Sequence, residues 1–127
     1  MRALFDGGYL GVPLPSIRDK LLSFALSLPE AWEDHPWDDC VVKVRKKIFV
    51  FLGEERMSVK LDESHAHALA VDGAAPTAYG LGRAGWVTVP LRAAGVDVLR
   101  DWIEESYCVV APKRLAATLL TAPTEPE

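Results

Sequence analysis

Apolar positions along this chain follow two periods, one helical and one extended. Ile17, Leu21, Phe24, Ala25 and Leu28 recur at helical spacing, which predicts a helix over about Ile17–Leu28 with one buried stripe. Ser16-Ile17-Arg18-Asp19 has the form of its start, a hydroxyl to accept a backbone N–H and an acid in the first turn. Pro29 stops it. Two runs rich in β-branched and aromatic residues follow, Val41–Val44 and Ile48–Leu52, with only Arg45-Lys46-Lys47 between them. That is a hairpin. After Gly53-Glu54-Glu55, the run Met57-Ser58-Val59-Lys60-Leu61 alternates, with Met57, Val59 and Leu61 on one face.

A short helix is expected over Asp62–Val71, with Asp62 or Ser64 as its cap, and a long loop over Asp72–Gly85, which holds four glycines and a proline. Trp86–Val89 reads as a fourth strand ended by Pro90. Val98, Leu99, Trp102, Ile103, Ser106 and Tyr107 form the stripe of a helix from about Val96 to Val109. Pro112 suits the first position of a last helix through Leu120, because its missing N–H is not needed there. The order α-β-β-β-α-β-α-α describes an α+β fold, an antiparallel meander with helices on one face. Residues 1–15 read as a loose extension, 16–120 as a single domain and 121–127 as a disordered tail.

Composition narrows the class. In 127 residues, half are apolar and a quarter charged, the balance of one globular domain with its own core. The N-terminal apolar stretch is broken by Asp6, Gly7 and Gly8, so it lacks the h-region of a signal peptide, and no run is long enough to span a membrane. The chain is expected to be cytoplasmic and monomeric, with Cys40 and Cys108 as reduced thiols.

Charge is where the chain is least uniform. The net charge is −4, yet between Lys43 and Lys60 six cations face only Glu54 and Glu55. Five acids (Glu30, Glu33, Asp34, Asp38 and Asp39) sit together upstream with no base among them. The hairpin turn also breaks a local rule. Tight two-residue turns favour Asn or Gly because they often need positive φ, whereas here three adjacent cations repel one another. Such a breach marks either a phosphate-contacting site or a solvated turn whose lysines discourage edge pairing.

Other chemistries find little support. His65 and His67 are two apart, so a helix turns them about 200° from one another and they cannot share an ion. Asp34, His35, Asp38 and Asp39 are denser, with Cys40 adjacent, but show no diagnostic ligand spacing. No metal or cofactor is expected. The letters of Gly80-Leu81-Gly82-Arg83-Ala84-Gly85 match a dinucleotide fingerprint but precede a strand instead of linking strand to helix. No nucleophile motif appears, and no enzymatic activity is expected. Core burial is expected for Trp32, Trp37 and Trp102. Trp86, directly after the glycine loop, either packs inward as well or offers a stacking face.

Taken in order, Leu22–Ala31, Trp32-Glu33-Asp34-His35-Pro36-Trp37 and Val42–Phe49 resemble the opening of the MmcQ/YjbR family. Gly85–Val89, Ile103–Tyr107 and Pro112-Lys113-Arg114-Leu115 continue the likeness, which spans about Ser16–Leu120. It implies a frataxin-like (CyaY-like) α+β fold and DNA binding through a double-wing arrangement. The chain departs from the pattern twice. Where the family commonly has Lys-x-His-Trp-Asn-Thr, residues 83–88 keep the Trp and Thr, put Arg83 for the lysine and lack the His and Asn. The turn, often glycine-bearing in the family, is Arg45-Lys46.

The leading expectation is contact with duplex DNA backbone through Lys43, Arg45, Lys46, Lys47, Lys60 and Arg83, with Trp86 nearby. Four or five such cations imply a log–log salt slope of about −4. A non-enzymatic ligand-binding or protein-interaction module is the alternative. Metal handling on the acidic 30–39 run, by analogy with frataxin-like folds, is a third.

Overall fold

The computed structural model describes residues 16–36 and 39–121. The expected extension over 1–15, residues 122–127 of the expected tail, Trp37 and Asp38 lie outside the described residues, while Thr121 ends a helix instead of opening the tail. The chain opens with helix α1 (Ile17–Leu26), capped as the sequence suggests. Ser16 Oγ accepts from Asp19 N–H at 3.0 Å, and the Asp19 carboxylate accepts from Ser16 N–H at 3.4 Å. Leu21, Ala25 and Leu28 are buried, whereas Ile17 is exposed and drops out of the expected stripe.

Four strands follow in succession: β1 (Ala31–Asp34), β2 (Val41–Val44), β3 (Lys47–Leu52) and β4 (Arg56–Lys60). Helix α2 (His65–Leu69), strand β5 (Ala75–Pro76), a 3₁₀ turn at Leu81–Ala84 and strand β6 (Trp86–Pro90) come next, then helices α3 (Val96–Val110) and α4 (Lys113–Thr121). The six strands form one antiparallel sheet in the order β1-β2-β3-β4-β6-β5. The expected α+β meander is present, with two strands added at its edges. β1 comes from the stretch read as an acidic connection. Its residues Ala31-Trp32-Glu33-Asp34 are exposed or half-buried, so no apolar alternation betrays them. β5 is two residues long and ends in a proline, whose missing N–H suits a sheet edge.

A register shift separates two runs of the β2–β3 ladder, since Val42 pairs with Val50 but Lys43 pairs with Ile48. Phe49 is the extra residue of a bulge, which turns both Phe49 and Val50 into the core. The Phe49 ring meets Tyr107 of α3 edge-on at 5.2 Å, and Tyr107 donates its hydroxyl to Pro29 O at 2.7 Å. Beside it, buried Ser106 donates to Phe49 O at 2.5 Å and accepts from Lys60 N–H at 2.8 Å. One hydroxyl therefore satisfies a donor and an acceptor that the bulge and the strand end leave unpaired.

Helices α1 and α3 cover one face of the sheet, where Val50, Leu52, Met57, Val59, Val87 and Val89 meet Leu99, Trp102 and Ile103. Glu105 reaches from α3 to accept from the N–H groups of Asp62 and Ser64 at 2.8 and 3.0 Å. It thereby does for α2 what the Ser64 side chain does not. On the opposite face Ser58 and Thr88 join hydroxyls at 2.8 Å, and Thr77 from the glycine-rich loop bonds Thr88 at 3.0 Å. No helix among the described residues is long and apolar enough to cross a membrane.

Candidate nucleic-acid interface

The β2–β3 turn consists of Arg45 and Lys46 alone, since Val44 pairs with Lys47. Arg45 sits at φ +56, the left-handed region that a side chain enters at a cost of about 1–3 kcal/mol. Neighbours on β1 and at its entry hold it there. Trp32 Nε1 donates to Arg45 O at 2.8 Å, and Arg45 Nε meets Glu30 Oε1 at 3.1 Å. Glu30 is itself left-handed, at φ +61, where the chain turns into β1. The absent glycine is thus offset by an indole and a carboxylate that the unforeseen strand carries to the turn.

β1 also neutralises Lys43. Its ammonium lies 2.8 Å from Asp34 Oδ2 and 5.1 Å from the centre of the Trp32 ring. Trp32, expected in the core, is 43% exposed and serves instead as a platform for the lysine stem. The Lys43 hydrogen bond, with a second from His35 N–H, holds the Asp34 carboxyl below its usual range. A carboxyl with a depressed folded pKa supports the fold above the ordinary carboxylate range and loses that support as pH falls through the lowered value. Lys43→Met is expected to bring the Asp34 titration back up toward an ordinary aspartate, read by side-chain carboxyl NMR.

The other cations divide into two groups. Lys46 and Lys47 are exposed, and among the described residues no carboxylate pairs with either. Across from them the α3–α4 junction brings up Lys113, so that Arg45, Lys46, Lys47 and Lys113 line a groove of about 620 Å³ together with Val44, Val109, Val110 and Pro112. Lys60 points elsewhere. It lines a depression with Asp62, Glu63, Asp101, Glu104 and Glu105, five carboxylates to one ammonium. Arg83 is exposed on the 3₁₀ turn, whose Ala84 borders the same acidic depression. Trp86 is 7% exposed, packed edge-on against Phe51 at 5.4 Å, so it takes the inward alternative and offers no stacking face.

Of the seven expected residues, the fold assembles three at the hairpin tip, neutralises Lys43 within the sheet and leaves Lys60, Arg83 and Trp86 outside the cluster. It adds Lys113, which sequence reasoning missed. A signal was present, since α4 begins with Lys113-Arg114 and carries no acid in its first turn. Cations there oppose the helix dipole, each by about 0.3–1 kcal/mol.

Another concavity, of about 460 Å³, lies on the open sheet face, lined by Thr77, Tyr79 and Leu81 of the loop together with Phe51, Ser58 and Thr88. Arg18 and Arg56 at its rim are matched by Asp39 and Glu54.

Comparison with known proteins agrees with this architecture. A crystal structure of the Deinococcus radiodurans protein DR2400, which carries the domain DUF419, superposes with a TM-score of 0.65 at 25% sequence identity, over 90% of this chain and 96% of that one. No curated protein matches the chain. The YjbR family model matches residues 26–109, from the end of α1 to the end of α3. Those residues include the whole sheet, its bulge and the basic hairpin, and they place the chain in the YjbR family.

Proposed function

We propose that this YjbR-family chain is a non-enzymatic DNA-contacting protein that meets the duplex phosphate backbone at the β2–β3 tip and the start of α4. The observation that carries the reading is the meeting of Lys46, Lys47 and Lys113 around one groove with no carboxylate paired to them among the described residues. Phosphate there would also relieve the unfavourable placement of Lys113 and Arg114 at a helix N-terminus, which attracts anions. Backbone contact of this kind positions a protein on duplex without reading its sequence.

Duplex binding by variants tests the reading. Replacing Lys46, Lys47 and Lys113 with alanine is expected to abolish binding, while Lys60→Ala and Arg83→Ala leave it unchanged. Indifference of binding to the triple change would refute the assignment. Glu30→Gln frees the Arg45 guanidinium from its partner. It is expected to tighten duplex binding and to steepen the log–log salt dependence by about 1.

The concavity between the Thr77–Leu81 loop and the open sheet face favours a second reading, a module for a small polar ligand. Its mixed rim of two arginines and two carboxylates suits an uncharged or zwitterionic molecule. On that reading the protein is indifferent to DNA and to the loss of its hairpin cations.

A further inference from the structure

Strands place residues two apart on the same side, whereas helices place them on opposite sides. β1 makes that difference matter. Glu33 lies on β1, His35 follows two positions later, and Cys40 leads into β2, whose Val42 pairs with Glu33. The ladder gathers all three side chains. His35 Nε2 is 2.6 Å from Glu33 Oε2, Cys40 Sγ is 3.7 Å from the same oxygen, and one ligand atom from each of the three lies within 4.8 Å of the others. Their spacing along the chain matches no familiar metal motif, because the site is made by strand pairing.

We propose that Glu33, His35 and Cys40 form a three-ligand site for a thiophilic divalent cation of the zinc type. A tetrahedral zinc ion bound at about 2.0–2.3 Å sets its donors roughly 3.3–3.7 Å apart. The Cys40–Glu33 separation of 3.7 Å already has that value. The Glu33–His35 contact of 2.6 Å is a hydrogen bond, and coordination requires it to open by somewhat under about 1 Å. His35 and Glu33 are on the surface and free to make that adjustment, while Cys40, 8% exposed, is the fixed donor.

The donor types select the ion. One thiolate, one imidazole and one carboxylate suit zinc and its cobalt surrogate, and suit magnesium or calcium poorly. Binding sends the Cys40 thiol proton, and any proton on His35 Nε2, to solvent. The thiolate and carboxylate then balance the charge of the ion, and the Arg18 guanidinium, a neighbour of the Cys40 thiol, turns aside to Glu54. Three protein donors leave a fourth position for water. The site is at the end of β2 away from the hairpin tip, so it stands apart from the proposed DNA contact.

Cobalt(II) titration of the full chain, followed by absorption, tests the site. One equivalent is expected to produce a thiolate-to-cobalt charge-transfer band that one equivalent of zinc removes. Cys40→Ser is expected to abolish the band and Cys108→Ser to retain it. His35→Ala, a change at an exposed position that leaves the core intact, is expected to weaken cobalt binding by more than about 100-fold, beyond the loss typical of an outer-shell partner. Absence of the band in the native chain, its survival in Cys40→Ser, or native affinity in His35→Ala would each overturn the proposal.

Discussion

Replacing Phe49 with alanine is expected to destabilise the protein by about 3–5 kcal/mol, the range for a buried aromatic whose cavity cannot collapse. Phe51→Ala is expected to cost markedly less. Strict alternation along β3 would put both rings on one face, and the two changes would then resemble each other. The bulge separates them. Phe49 is fully buried against Tyr107, while Phe51 is half-buried on the opposite face beside Trp86. Denaturant unfolding measures both, with the midpoint falling and the slope unchanged if only stability is affected. The change also bears on the basic end of the molecule. Phe49 and its carbonyl bond to Ser106 anchor the hairpin to α3, whose C-terminus leads to Lys113.

The second large effect is on binding. Three cations that each neutralise one phosphate make log K fall with log salt at about −0.9 per contact. Near 0.1 M salt, losing all three is expected to weaken duplex binding by about 500-fold, from the same slope over one decade of salt. Non-specific binding begins at roughly 10⁻⁴–10⁻⁶ M, so the alanine variant at positions 46, 47 and 113 is expected to bind below detection. None of the three side chains is in the core. Unchanged thermal unfolding would therefore separate lost contact from lost fold.

Much of this architecture is legible in the chain because burial imposes periods on it. The stripe through Leu99, Trp102, Ile103 and Tyr107 gives α3 without ambiguity, and the alternation Met57-Val59-Leu61 gives β4. β1 is illegible for the opposite reason. An edge strand with no fully buried residue needs no apolar alternation, and its partners in β2 supply the register. The same omission explains the charge. Read along the chain, Lys43 and Arg45 belong to an unopposed basic run, but β1 folds the acidic stretch back on them and pairs Asp34 and Glu30 with them. Lys113 joins the tip only because α3 runs back along β3, a relation that no local pattern encodes. The bulge at Phe49 leaves no mark in composition either, since both faces of β3 there are apolar.

Two pairings and the distant placement of Lys60 and Arg83 thus remove four of the six expected phosphate contacts, and one junction adds a contact. The effective site has three free cations, and the salt slope expected from it is shallower than the sequence alone suggests. Titrating duplex affinity against salt measures that number directly. A log–log slope of about −3 is expected for the native chain, and no measurable binding once Lys46, Lys47 and Lys113 are alanine. A native chain that fails to bind duplex at low salt, or a slope that survives the triple substitution, would contradict a phosphate site built on these three lysines.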